Sequence, residues 1–102
     1  MNRRQQLGVL CEAILREHLI RNGYFVYTPI GQQGPADLIA INSKTGKVVL
    51  FDAKTDRKRV NPGRTNPARI HRKRTALQKK MGVRLAYVNE EKRTIWIKPP
   101  LD

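Results

Sequence analysis

The chain has 102 residues, 39% of them hydrophobic, and carries 21 Lys and Arg against 8 Asp and Glu for a formal net charge of +13. That length suits a single domain, residues 1–102, and is too short for two; no apolar run approaches the ~20 residues of a membrane-spanning helix. A lone cysteine, Cys11, excludes an internal disulfide framework and a cysteine-rich zinc site, and the N-terminus lacks a signal peptide's apolar region, so the expected compartment is the cytosol or a nucleus.

A helix is expected over "QQLGVLCEAILREHLIRNG", where Leu7, Leu10, Cys11, Ile14 and His18 fall on one stripe. Asn22-Gly23 supplies its stop. On that stripe Cys11 reads as a core residue and His18 as a hydrogen-bonded one. Glu12 lies at the stripe's edge beside Leu15 and Leu19, and Glu17 on the more polar side. "YFVYTP" follows as a short strand stopped by Pro29, with Tyr24 and Tyr27 as core or rim, and "IGQQG" as a loop.

"ADLIAI" and "KVVLFDAK" read as a hairpin around "NSKTG", with Lys44 and Thr45 as a two-residue connection. If Ile41 pairs with Val48, Ile39 meets Leu50 and Asp37 meets Asp52. Opposed residues share a face, and Lys54 lies two residues from Asp52 on that same face. The register thus brings Asp37, Asp52 and Lys54 to one end of the sheet.

"TDRKRVNPGRTNPARIHRKR" opens as a loop. A helix is expected to start in its second half, with Thr65 or Asn66 as N-cap and Pro67 first, and to run through Gln78 to Met81 before Gly82. Ile70, Leu77 and Met81 would be its apolar stripe. "VRLAYV" and "TIWIKP" complete the set as two strands, with Trp96 serving packing or a dimer contact. The order α-β-β-β-α-β-β predicts a mixed α+β fold with a central mixed sheet flanked by helices.

The positive charge is concentrated. Between residues 55 and 82 ten basic groups face a single acid, Asp56, and the stretch from Arg57 to Arg74 has no acid at all. Such density suits a polyanion, nucleic acid ahead of an anionic membrane. The expected contacts are Arg57, Lys58, Arg59, Arg64, Arg69, His71, Arg72, Lys73 and Arg74, on a loop spanning 57–74 that is mobile until DNA arrives. Few aromatics interleave with these cations, so backbone recognition of a duplex or a branched junction fits better than single-strand stacking.

Two carboxylates held together repel unless one takes a proton or a cation sits between them. Oxygen ligands suit Mg²⁺ or Mn²⁺ rather than zinc. Lys54 beside such an ion would help activate water and stabilise developing charge. The plainer alternative is an ion pair of Lys54 with Asp37 or Asp52.

The surroundings favour the first reading by resemblance. Gly8 and Glu12 on the first helix, "NGYFVYTPIGQQGPADLIAI", "LFDAK", the Gln78 helix and "MGVRLAYV…TIWI" together resemble the PD-(D/E)xK nuclease superfamily over nearly the whole chain. Within it, they look like small archaeal-type Holliday junction resolvases and related phage or intron-associated endonucleases. Ala36 stands where a proline is usual, and Asp52 where glutamate is commoner.

The resemblance implies a restriction-endonuclease-like core and a Mg²⁺- or Mn²⁺-dependent endonuclease acting on branched DNA as a homodimer, in the host cytoplasm if phage-encoded. It implies Asp37, Asp52 and the Ala53 carbonyl as metal ligands, with Glu12 added directly or through water. Lys54 would be the water-activating group, and Gln78 would touch the scissile phosphate or the attacking water. Alternatives are a nuclease reading sequence on linear duplex, and a nucleic-acid-binding module that does not cleave.

Overall fold

A computed structural model describes residues 1–32, 34–59, 68–69 and 72–101. Helix α1 (Arg3–Arg21) starts in a capping box. Asn2 Oδ1 accepts from the Gln5 N–H at 2.9 Å, and Gln5 Oε1 accepts from the Asn2 N–H at 3.0 Å. These bonds satisfy donors that the first turn cannot pair internally. The helix ends at Asn22, and Gly23 turns the chain with φ 85°.

The buried stripe of α1 is Leu7, Cys11, Ile14, Leu15 and Leu19. This corrects the expected stripe at two positions. Leu10 is 40% exposed and His18 is on the surface. Rotating the helix toward Leu15 and Leu19 buries two leucines, and it leaves the imidazole of His18 in water, where it needs no buried partner.

Strands β1 (Tyr24–Tyr27), β2 (Leu38–Asn42), β3 (Val48–Thr55), β6 (Arg84–Asn89) and β7 (Thr94–Lys98) form one sheet in the order β1-β2-β3-β6-β7. Only the β3–β6 pair is parallel. The fold is therefore mixed α+β, with a five-stranded mixed sheet flanked by helices. The hairpin register is Ile41 to Val48 and Ile39 to Leu50, as the alternation predicts. Its connection is longer than expected. Asn42 N–H bonds Lys47 O, so four residues, Ser43 to Gly46, close the turn. Asn42 Oδ1 accepts from Lys44 N and Thr45 N, and Gly46 takes φ 76°. The asparagine side chain acts as an Asx turn, which a two-residue loop would not accommodate.

One face of the sheet meets α1. Leu38, Ala40, Val49, Phe51, Ala86 and Val88 pack there with Cys11, Ile14, Leu15 and Leu19. On the other face Phe25, Tyr27 and Val48 are each more than half exposed, while Tyr87 is buried with Trp96 at a ring-centroid distance of 5.1 Å.

Two short strands, β4 (Lys58–Arg59) and β5 (Ala68–Arg69), pair antiparallel where a loop and then a helix were expected. Helix α2 is only Ala76–Met81. Its N-cap is Thr75, whose hydroxyl accepts from the Gln78 N–H at 3.1 Å, while Gln78 Oε1 accepts from the Thr75 N–H at 3.0 Å. Upstream, where the helix was expected to run, lie three adjacent cations, Arg72, Lys73 and Arg74. They run irregularly instead, with the Arg72 N–H bonded to the Tyr87 hydroxyl at 2.7 Å and Arg74 Nη1 to Val83 O at 3.1 Å. The expected apolar stripe is corrected too. Leu77 and Met81 are 53% and 45% exposed, and the buried residue of α2 is Gln78. Ile70 and the residues 65–67 proposed to start the helix lie outside the described set. No described helix is long and apolar enough to cross a membrane.

Candidate active site

Asp37 ends the turn before β2, and its N–H bonds Phe51 O at 2.7 Å. The regular ladder ends at Leu38–Phe51, and the extra bond to Phe51 O makes Asp37 a bulge residue; its carboxyl still reaches that of Asp52 on β3. Asp37 Oδ2 accepts from the Ala53 N–H at 2.9 Å. The Asp37 carboxyl is pushed up to about 6 from an ordinary 3.8, with burial the largest cause. A hydrogen bond shared with Asp52 and the charges of Asp52 and Glu12 contribute to that rise, and the Ala53 N–H opposes it. Two acids sharing a proton are the expected state of carboxylates forced together.

Asp52 is only 9% exposed. Its Oδ2 accepts from Gln78 Nε2 at 2.7 Å and stands 3.3 Å from Lys54 Nζ. Gln78 Nε2 also reaches Pro35 O at 2.9 Å. One amide therefore ties α2, the turn before Asp37 and the strand carrying Asp52. The short helix is positioned by that link, and its capping box holds the Gln78 backbone.

Glu12 comes from α1, one residue beyond Cys11. It shares a cavity of about 260 Å³ with Asp37, Arg16, Thr28 and Pro29. Glu17 is directed elsewhere. It pairs with Arg21 at 3.0 Å and with Arg93 at 2.9 Å, bracing α1 against the turn before β7. Cys11 is not part of the site. Its Sγ lies against Thr55 Oγ1 and Val88 O, and burial pushes its thiol up.

Among the described residues no group of three His, Cys, Asp or Glu side chains converges as a metal cage. The structure brings together the Asp37–Asp52 pair, with Glu12 lining the same cavity as Asp37. Mg²⁺ is ordinarily held by one or two carboxylates, waters and substrate phosphates rather than by a full protein cage. The pair, with its carboxyls in contact, fits that mode.

The cations gather in two clefts. One, of about 530 Å³, runs between the start of α1 and the end of β3 and includes Lys54, Arg57 and Arg72. The other, of about 400 Å³, is lined by Arg72, Lys73, Arg74, Lys79 and Lys98. Arg72 borders both. The backbones of Lys58, Arg59 and Arg69 lie in the β4–β5 ribbon; Arg64 and His71 lie outside the described residues. Sequence reasoning missed Arg3, Arg4 and Lys98 as cleft residues because they are distant in the chain from the basic stretch, and Lys79 because it follows the 57–74 loop expected to be the contact surface.

Compared with protein-family models, curated proteins and solved structures, the chain matches none.

Proposed function

We propose that this chain is a Mg²⁺- or Mn²⁺-dependent endodeoxyribonuclease that hydrolyses phosphodiester bonds in branched DNA, with a Holliday junction as substrate. The observation that carries the reading is the Asp37–Asp52 pair at the rim of the sheet, its carboxyls in hydrogen-bond contact and Asp52 Oδ2 3.3 Å from Lys54 Nζ, beside clefts whose charge suits phosphates. Asp37, Asp52 and the Ala53 carbonyl would hold the ion, with Glu12 contributing through water. The ion would supply neutralisation of the scissile phosphate and a more acidic water.

The chain's own residues do the rest. Ala53 N–H fixes the Asp37 carboxylate in place. Gln78 Nε2 and Lys54 hold Asp52 in one orientation. Lys54 is placed to orient the attacking water and to offset charge that develops on the phosphate. Gln78 thus acts through Asp52, as a positioning residue. Junction cleavage needs two coordinated cuts, so a symmetric homodimer is proposed as the working form.

The test mixes the protein with a four-way junction and with linear duplex in Mg²⁺, Mn²⁺ or EDTA. Metal-dependent nicking of the junction is expected. Asp52→Ala should abolish cutting and leave binding intact or tighter. Binding without cutting under every metal condition would return Lys54 and Asp52 to a structural ion pair. Cutting of linear duplex at one sequence would reassign the substrate.

A further inference from the structure

The residues of α1 that line the larger basic cleft break two local rules. Arg3 and Arg4 sit in the first helical turn, which has no acid. The positive end of the helix dipole disfavours cations there and favours carboxylates. One turn on, Gly8 occupies a helix interior, where glycine is the poorest ordinary residue. No packing requires it, since a Cβ built at Gly8 meets nothing within 4 Å. Local violations that lack a structural reason mark functional positions, and both violations border one cavity of about 530 Å³.

The other side of that cavity is Lys54, with Arg57 and Arg72. No acid is among its lining residues, and among the described residues no carboxylate pairs with Arg3, Arg4, Arg57 or Arg72. The cavity shares Lys54 and Ala53 with the acid cluster. An anion bound in it therefore lies next to the reacting phosphate. The bare helix surface at Gly8 lets a sugar-phosphate backbone approach α1 closely.

Resting on the nuclease reading above, we infer that this cleft is a second phosphodiester subsite. It takes a DNA phosphate neighbouring the scissile one, with Arg3 and Arg4 as its anchors and Gly8 as the gap that admits the strand.

The test measures binding of a fluorescein-labelled four-way junction by anisotropy over a salt series, in an Asp52→Asn background that cannot cut. Arg3→Ala/Arg4→Ala should weaken binding about tenfold or more and flatten the slope of log K against log salt by about two. Gly8→Met should raise the melting temperature, because methionine is the better helix former, yet weaken junction binding severalfold. Stability and affinity moving in opposite directions is a result that a merely structural glycine would not produce. Wild-type affinity and salt slope in both variants would overturn the subsite, whether or not the chain cuts DNA. Weakened binding in both variants, from a chain that never cuts under any metal, would keep the subsite and remove the nuclease.

Discussion

Val49, Phe51 and Ala53 of β3 face α1 and close the core, while Leu50, Asp52 and Lys54 of the same strand face the other way. Six residues thus divide by period two into a layer that holds the fold and a row that carries the proposed site. The first row has no polar side chain. The second holds a carboxylate, 9% exposed, that is tied to Gln78 and Lys54 and crowded by Asp37. Substitutions on the first row should cost stability. On the second they should cost activity and relieve repulsion.

The largest expected effect tests the first row. Phe51 is fully buried against Leu15 and Leu38 in one cluster. Phe51→Ala should cost about 3–5 kcal/mol, a large share of the ~5–15 kcal/mol of an ordinary domain, read as a lower urea midpoint. A loss no greater than that of a surface substitution would break the division between the faces.

Next comes the acid pair. The Asp37 carboxyl is raised from 3.8 to about 6 in the folded chain. The native state therefore holds this proton more tightly than the unfolded one. The stability it contributes is fully present below about pH 4 and is lost as pH rises through about 6. After discounting for solvent screening, the loss is on the order of 1–2 kcal/mol. Asp37→Asn should flatten this part of the stability-pH curve and leave the variant more stable than wild type at pH 7. Added Mg²⁺ or Mn²⁺ should stabilise wild type at pH 7.5 by about 2.7 kcal/mol when it reaches a hundredfold excess over Kd. It should do so less at pH 5, where the proton competes, and not measurably in Asp37→Asn. Denaturant curves at several pH values, with and without metal, check all three.

The acid pair was legible in the sequence because a strand's period is two. Once Ile41 was set against Val48, Leu38 fell against Phe51 and both aspartates came to the same end of the sheet; the bulge at Asp37, whose N–H bonds Phe51 O, was not legible. Glu12 was placed by the helical period, which tolerates an error of one residue in the stripe. That same tolerance misassigned Leu10 and His18, since several rotations of α1 bury similar apolar area. The extent of α2 was not legible. Pro67 offers a good helix start locally, but the Arg72 N–H bonds the Tyr87 hydroxyl and Ala68–Arg69 pairs with β4. Both contacts are tertiary. The burial of Gln78 was hidden for the same reason: its partners, Asp52 and Pro35, lie 26 and 43 residues away in the chain.

Gln78 also joins the two rows' behaviours, since it serves both a cap and the site. Gln78→Ala removes its side chain from the capping box and its bonds to Asp52 and Pro35, and should cost about 1–2 kcal/mol. Gln78→Glu keeps an acceptor for the Thr75 N–H but sets a third carboxylate against Asp52. Its cost should therefore be larger at pH 7 than at pH 4.5, near the ordinary glutamate pKa, where the introduced carboxyl is partly protonated and can donate as the amide does. Equal costs at both pH values would mean that the residue acts only as a cap.

The smallest effect concerns the outer side of α2. A long second helix would have buried Leu77 and Met81 as its stripe. Six residues turning inward on Gln78 leave them 53% and 45% exposed instead. Removing a half-exposed side chain forfeits little buried area, and lysine is at least as good a helix former as methionine. At Met81 its charge lies in the last turn, where the helix dipole favours cations, and at Leu77 it lies in the first turn, where the dipole opposes it only weakly at an exposed site. Leu77→Lys and Met81→Lys should each shift the urea midpoint by no more than ~0.5 kcal/mol. A loss of 2 kcal/mol or more from either would place these side chains in a core and contradict the short helix. A loss that grows as the protein is diluted would instead place them in a contact between copies. Both are distinguishable in one dilution series, because burial within a chain is independent of concentration.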